Sequence, residues 1–174
     1  GLSANLDVNL DSGWKFILGG TIMDVSKTEN DIKTQQMLTE SFSGTWAISY
    51  TIRPWNLDID YTGNIYGPMK LPLVSEWDPR KPKSPTYSIQ NIQFTYKGFS
   101  KFQIYGGVKN LLNWTPNKNN PFIIARANDP FNKEVSFDGN GQAMRTQNNP
   151  YGLVFDPTYM YASNQGMRTF LGIR

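Results

Sequence analysis

The chain has 174 residues, of which 18% are charged and 14% aromatic, whereas about a quarter of the residues in a soluble globular domain are charged. It contains no cysteine and no histidine, which excludes disulfides, thiol nucleophiles, Ser-His-Asp triads and most transition-metal sites. The net charge of +3 comes from Lys and Arg residues scattered singly, so we predict no nucleic-acid binding. We also predict no catalytic residue, no metal site and no cofactor.

Alternation of apolar and polar residues with a period of two recurs along the chain, whereas helical periodicity is almost absent. This pattern predicts an all-β protein with seven antiparallel strands. The cleanest strand sets Leu57, Ile59 and Tyr61 against Asp58 and Asp60. In chain order the predicted strands cover residues 3–10, 14–25, 42–52, 55–66, 86–97, 102–112 and about 158–174.

Two of these strands depart from simple alternation. In the fifth, Tyr87 and Ile89 are out of phase with the later apolar positions, which predicts a β-bulge. In the sixth, Gly106 and Gly107 stand in the middle of the strand. Glycines there predict a close approach of another backbone or a bend in a curved wall.

The predicted connections alternate between short and long. Tight turns near 11–13, 53–54 and 98–101 alternate with a polar loop at 26–41, a proline-punctuated loop at 67–85 and a segment of 44 residues at 113–156. Membrane barrels have tight turns on one side and long loops on the other. Strands of about 9 to 12 residues also suit a tilted bilayer crossing.

The chemistry of the strand faces favours the same interpretation. The polar faces carry mostly Asn, Asp, Gln, Thr, Ser and Gly, which suits a hydrated lumen better than open solvent. Trp14, Trp55 and Phe102 each follow a short turn, which predicts an aromatic girdle at one membrane boundary. For any one of these rings taken alone, the alternative is an ordinary core aromatic. The sequence contains no run of 18 apolar residues, so it predicts no transmembrane helix. Its first residues have neither the basic nor the apolar region of a signal peptide.

Several phrases of the sequence are distinctive: YGGVKNLLNWTP, YTGNIYGPMKLP, NDPFNKEVSFDGNGQA, NPYGLVFDPTYMY and the ending NQGMRTFLGIR. Together they resemble the C-terminal part of the β-barrel of a TonB-dependent outer-membrane receptor of Bacteroidetes type. The resemblance covers essentially the whole chain. It is closer to siderophore and cobalamin receptors than to glycan importers of the SusC type.

The resemblance implies a 22-stranded barrel with an N-terminal plug in the bacterial outer membrane. Such a receptor imports a scarce ligand, for example a ferric siderophore, cobalamin or haem, with energy from TonB, ExbB and ExbD. The chain departs from this pattern in showing no plug, no TonB box and no terminal aromatic residue. We expect it to be the C-terminal segment of the barrel, with the plug absent from this chain. Its partners would be outer-membrane lipid and the remainder of its own barrel and plug.

In the last strand, alternation assigns one set of side chains to lipid and another to the lumen. Phe170 falls on the lumen side, which simple alternation does not explain. The lipid set is Met167, Thr169, Leu171 and Ile173, and the lumen set includes Arg168, Gly172 and Arg174.

The resemblance implies that aromatic and cationic residues of the extracellular loops hold the ligand. The alternative is that each of these residues packs on a neighbouring loop. The candidates are Trp77, Arg80, Lys81 and Lys83 in one loop, and Trp114, Arg126 and Asp129 in another.

Three weaker motifs have simpler interpretations. Asp138 begins a run that resembles the start of a calcium loop without its closing ligand, and a tight hairpin turn is the better interpretation. Asp58 and Asp60 lie two residues apart, but no partner supports a catalytic carboxylate pair. Asn113 begins a glycosylation sequon, which is incidental in a bacterial outer membrane.

Two other classes of protein would also fit parts of this pattern. One is a small eight-stranded outer-membrane barrel that acts as an adhesin or anchor, which would need an eighth strand within 113–156. The other is a soluble β-sandwich that binds carbohydrate, with Trp77 and Trp114 as stacking platforms for sugars.

Overall fold

The computed structural model describes residues 1–72, 81–116, 138–139, 144–147, 150 and 160–174. Within them, seven strands form one antiparallel sheet in the order β1-β2-β5-β6-β7-β8-β9, and β3 and β4 form a separate hairpin. The prediction of an all-β antiparallel fold is therefore confirmed. The strands are β1 (Leu2–Asn9), β2 (Trp14–Ile22), β3 (Ser26–Glu29), β4 (Ile32–Gln35), β5 (Phe42–Ile52), β6 (Leu57–Tyr66), β7 (Tyr87–Tyr96), β8 (Ile104–Lys109) and β9 (Arg168–Ile173).

The connections are sorted by length between the two ends of the sheet. Residues 10–13, 53–56 and 97–103 connect strands at one end, which we call the short-turn end. Residues 23–41, 67–86 and 110–167 connect strands at the other, the long-loop end. In the first short turn, Gly13 has φ +94° and its N–H donates to the carbonyl oxygen of Leu10 at 3.0 Å. The predicted alternation of short and long connections is confirmed.

The strand register gives the sheet two chemically distinct faces, because side chains alternate between the faces of a strand. One row on the apolar face runs across all seven strands as Val8, Phe16, Ile48, Tyr61, Ile92, Val108 and Thr169. The neighbouring row on the polar face is Asn9, Lys15, Ser49, Asp60, Gln93, Gly107 and Phe170.

The sheet encloses no core on its apolar face within the part of the chain described. Leu171 is 80% exposed and Ile173 is 69% exposed, and other large apolar side chains of this face, such as Leu6 and Leu18, are exposed as well. Apolar surface left in water is costly. The apolar face is therefore a surface that requires an apolar environment.

A small core lies instead at the long-loop end. Met69 and Leu71 are buried there. The N–H of Leu38 donates to the carbonyl of Lys70 at 2.9 Å, and the hydroxyl of Ser84 accepts a 2.9 Å hydrogen bond from the N–H of Met69. These contacts tie the connection that precedes β5 to the connection between β6 and β7.

Several predicted strand boundaries are wrong, and left-handed residues explain two of them. The last strand, predicted at about 158–174, is β9 alone (Arg168–Ile173), and the described residues 160–167 before it are not strand. The predicted strand 102–112 is confined to β8, which ends at Lys109 because Asn110 adopts φ +52°. The predicted strand 55–66 begins at Leu57, because a 3-10 turn comes first and Asn56 has φ +50°. The predicted strand 14–25 ends at Ile22.

The predicted bulge in β7 is also wrong. The register between β6 and β7 is continuous from the pair Leu57 and Tyr96 to the pair Tyr66 and Tyr87. Because nothing interrupts the ladder, Tyr87 and Ile89 lie on the polar face. Along this regular strand, the large apolar side chains change from the polar face at Tyr87 and Ile89 to the apolar face at Ile92.

The predicted polar loop at 26–41 contains the hairpin of β3 and β4. Asn30 and Asp31 connect the two strands, with φ +50° and +63°. Two successive residues with positive φ are characteristic of a type I′ hairpin turn, which Asn and Asp favour. The two strands carry almost no apolar residues, so alternation does not reveal them in the sequence.

Candidate functional site

The polar face of the sheet carries an open hollow of about 510 Å³. Gly107 lies within the row that crosses this hollow, between Gln93 of β7 and Phe170 of β9. Because glycine has no side chain, the wall is recessed at this point. The hollow is lined chiefly by polar side chains of β5 to β8 together with one aromatic ring of β9, among them Ser49, Asp60, Thr62, Asn91, Lys109 and Phe170.

Cross-strand partners hold both carboxylates of β6. Asp60 accepts a 2.6 Å hydrogen bond from the hydroxyl of Ser49. Asp58 accepts one of 3.0 Å from the hydroxyl of Thr51 and forms an ion pair with Lys97. Each carboxylate thus has its own hydroxyl partner on β5, and the two do not share a ligand or a proton donor. This geometry favours the interpretation of a polar wall over that of a catalytic pair.

Phe170 lies on the polar face, as predicted, directly opposite Gly107. The Nζ atom of Lys109 is 5.5 Å from the centroid of its ring, which is within the range of a cation–π contact. Tyr105 lies 6.3 Å from the same ring and covers Gly172 of β9. Glycines opposite aromatic residues therefore explain how this wall accommodates an inward Phe170.

An aromatic cluster lies at the long-loop end of the polar face. Trp114 stacks on Tyr87 with ring centroids 4.1 Å apart and planes 9° apart. Tyr66 and Tyr161 flank the ring of Tyr87 at 5.1 and 5.9 Å. Trp114, a predicted ligand residue, is half-buried and uses one ring face for this packing.

Asn110 joins three segments of the chain where β8 ends. Its Nδ2 donates to the carbonyls of Trp114 at 2.7 Å and Gln165 at 2.9 Å, while its Oδ1 accepts from the N–H of Trp114 at 3.0 Å. Nearby, Oδ1 of Asn113 accepts from the N–H of Met167 at 2.9 Å. The two asparagines thereby attach the start of the β8–β9 connection to the segment that enters β9.

Of the predicted ligand residues, Trp114 and the companion lysines Lys81 and Lys83 lie within the described part of the chain. The others, Trp77, Arg80, Arg126 and Asp129, lie outside it. The companion residue Lys83 pairs with Lys70 in a β-bridge at the long-loop end. Of the run that begins at Asp138, residues 140–142 also lie outside the described residues.

The three predicted girdle residues lie at the short-turn end of the sheet, and all three are exposed. Trp14 begins β2 and stacks on Tyr50 with centroids 4.4 Å apart. Trp55 belongs to the 3-10 turn before β6, and Phe102 precedes β8 and stacks on Phe99 at 4.4 Å. Their common position is compatible with the predicted girdle.

Two residues of this site were not predicted from the sequence to be site residues. Tyr87 is only 7% exposed and organises the aromatic cluster, and its signal was its shift out of the apolar phase. Asn110 is 5% exposed and organises the asparagine contacts. Its signal was the pair of asparagines in the phrase KNLLN, although spacing alone does not reveal their partners.

The described residues contain no group of three or more potential metal ligands. No helix among them is long and apolar enough to cross a membrane. The polar face offers hydrogen-bonding and charged side chains, which the paired strands hold in a fixed register.

No family model matches the chain, and no curated protein matches it at a significant level. Among solved structures, a mutant of the ferric enterobactin receptor PfeA from Pseudomonas aeruginosa, in complex with enterobactin, is similar with a TM-score of 0.55 and 16% identity. That alignment covers 98% of this chain and 21% of the receptor chain. A second PfeA mutant gives a TM-score of 0.45 and 14% identity, covering 64% of this chain and 16% of that one.

The chain thus spans about a fifth of the length of the PfeA receptor. At this level of identity the likeness to the enterobactin-bound receptor concerns the fold. The seven-stranded sheet has the fold of part of a β-barrel receptor.

Proposed function

We propose that the chain forms part of the barrel wall of a TonB-dependent receptor in the bacterial outer membrane, which imports a scarce small-molecule ligand. The observation that carries the proposal is the apolar face of a two-faced sheet, over which the described residues place no second layer, together with turns sorted by length. In this assignment the short-turn end faces the periplasm and the long-loop end faces the outside.

Lipid is the environment that suits the apolar face. Rows of Val, Ile, Phe and Leu side chains cross the sheet, and the described residues supply no second layer over them. The strands satisfy their backbone hydrogen bonds by pairing, as any membrane-spanning sheet must. The remaining strands of a larger barrel would pair with the edges presented by β1 and β9.

The three exposed aromatics at the short-turn end fit the periplasmic girdle of such a barrel. Their rings lie where the apolar face meets the turns and belong to Trp14, Trp55 and Phe102. We assign them to the membrane interface on this basis.

We assign the ligand side to the long-loop end and to the polar face below it. Trp114 lies there on the aromatic cluster, and we propose Trp77, Arg80, Arg126 and Asp129 as further ligand residues. Energy would come from TonB, ExbB and ExbD through a plug. Transport would proceed by ligand binding and conformational change and not by catalysis. A Bacteroidetes origin and a siderophore or cobalamin ligand are supported by the sequence resemblance alone.

Site-directed spin labelling tests this assignment, and these 174 residues contribute no native cysteine that would compete for the label. We would introduce Ile48→Cys and Ser49→Cys, which are adjacent in β5 but face opposite sides, in the full-length protein reconstituted in lipid vesicles. The label at 48 should collide more with dissolved oxygen, and the label at 49 more with a water-soluble nickel complex.

Repeating the comparison at Tyr61 and Thr62 of β6 gives an independent matched pair. Equal access of the nickel complex to both faces would exclude a lipid environment. Protection of residue 48 from both reagents would indicate a second protein layer, as in a soluble sandwich, and would also contradict the proposal.

A further inference from the structure

Two cations lie directly opposite each other on the polar face. Lys109 at the end of β8 pairs in register with Arg168 at the start of β9. Directly opposed residues in an antiparallel pair have Cβ atoms about 4.5–5.5 Å apart, and like charges there destabilise the sheet. This arrangement therefore has an unfavourable electrostatic energy unless an anion lies near it.

No carboxylate of the described residues neutralises the pair. The ion pairs found there are Lys27 with Glu29, Lys33 with Asp24, and Lys97 with Asp58. Lys109 instead leans towards the ring of Phe170, the next residue of β9 on the same face. Both cations are exposed.

The nearest carboxylate on the same face belongs to another strand and already has a partner. Asp60 lies on β6 and accepts the hydroxyl of Ser49 at 2.6 Å. It borders the same hollow as Lys109, with the polar residues of β7 between them. The hollow thus has one cation, Lys109, on its long-loop side, with Arg168 directly opposite it in register, and hydrogen-bonding side chains along its floor.

We propose that Lys109 and Arg168 bind an organic anion that carries carboxylate groups. The guanidinium offers a planar fork that matches a carboxylate, and the ammonium adds a second compact charge. Phe170 lies beside Lys109 and supplies an apolar surface for the carbon skeleton of the ligand. The inference rests on the proposed function, because that function makes the polar face a water-filled passage.

The test is thermal unfolding of the full-length protein in detergent, with citrate as the probe and sodium chloride at matched ionic strength as the reference. A ligand that binds only the folded state raises the melting temperature. For citrate well above its Kd we expect a rise of about 2–4 °C in the wild-type protein.

The double variant Lys109→Gln with Arg168→Gln should show two changes together. Its melting temperature in chloride should rise, because the repulsion is removed, and its response to citrate should disappear. Arg168→Lys should retain the wild-type baseline with a weaker response. Lys15→Gln is the matched control, since Lys15 lies on the same face opposite the uncharged Asn9 and Ser49, and should respond like the wild type.

Equal shifts with citrate and chloride would overturn the proposal, because they would indicate charge screening alone. A lowered baseline in the double variant, with no citrate response in the wild type, would also overturn it and would indicate that a carboxylate of the protein already fills the site. Either result leaves the spin-label pattern of the membrane wall unchanged, so the two proposals fail separately.

Discussion

Asn110 shows how one residue can determine where a strand of this sheet stops. Its φ of +52° turns the chain out of the ladder after Lys109. Its buried side chain then pairs with main-chain groups of Trp114 and Gln165. Asparagine suits both tasks, because it tolerates the left-handed region and carries both a donor and an acceptor.

Asn110→Ala should lower the free energy of unfolding by about 3 kcal/mol, since the three hydrogen bonds of this buried side chain are lost. Asn110→Gly keeps the backbone conformation and should cost about 1 kcal/mol less. Guanidinium denaturation of the protein in lipid vesicles would measure both changes.

Asn56 provides the matched control, because it has φ +50° but no side-chain hydrogen bond among those found. Asn56→Gly should leave stability nearly unchanged, and Asn56→Ala should cost about 1 kcal/mol for backbone strain alone. If the alanine variants at 56 and 110 cost the same, the hydrogen bonds of Asn110 contribute nothing measurable.

At the scale of the strand, the contact between β7 and β8 depends on the absence of a side chain. A Cβ atom at Gly107 would collide with the carbonyl oxygen of Ile92 and lie 2.9 Å from the Cα of Gln93. The close backbone approach predicted for the two glycines is thus confirmed at Gly107. It also leaves the recess into which Phe170 faces.

Gly107→Ala should therefore destabilise the protein by about 2 kcal/mol, because the obstacle is backbone that cannot move aside without disturbing the ladder. The control is Gly20→Ala in β2, where a Cβ would meet no atom within 4 Å. That change should be neutral or slightly stabilising. Denaturation midpoints of the two variants can be compared directly, and equal midpoints would refute the close approach.

At the scale of the whole molecule, the sheet has no core on its apolar face among the described residues. Only Met69, Leu71 and Tyr87 are buried hydrophobic residues in the part of the chain described, and all three lie at the long-loop end. The strands gain stability from their ladders and from surroundings that cover the apolar face. In the proposed barrel, such a wall would depend on a lipid or detergent environment and on neighbouring strands.

We therefore expect the 174-residue chain, expressed alone, to aggregate in detergent-free buffer and to dissolve when detergent is added. Size-exclusion chromatography with light scattering would measure both states. The exposed apolar face and the unpaired edges of β1 and β9 are the physical cause. A monodisperse monomer without detergent would contradict this expectation and favour a soluble binding module.

The elements differed in how far the sequence predicted them. β5 was predicted at its observed bounds, because Trp46, Ile48 and Tyr50 alternate without interruption. The hairpin of β3 and β4 was missed, because its strands are almost wholly polar. At the candidate site, Phe170 was predicted to face inward. Its pairing with Gly107, and that of Lys109 with Arg168, was not predicted, since pairing depends on register between strands.

By itself, the sequence determined the two faces of the strands and the order of short and long connections, because alternation and turn-forming residues act over a few neighbouring positions. Only the tertiary structure decided which strands pair, in which register, and hence that Lys109 meets Arg168 and that Asn110 reaches Gln165. The first contact joins residues 59 positions apart in the sequence, and the second joins residues 55 positions apart. Local pattern carries no information on such pairs, since their energies arise only when distant segments share one sheet.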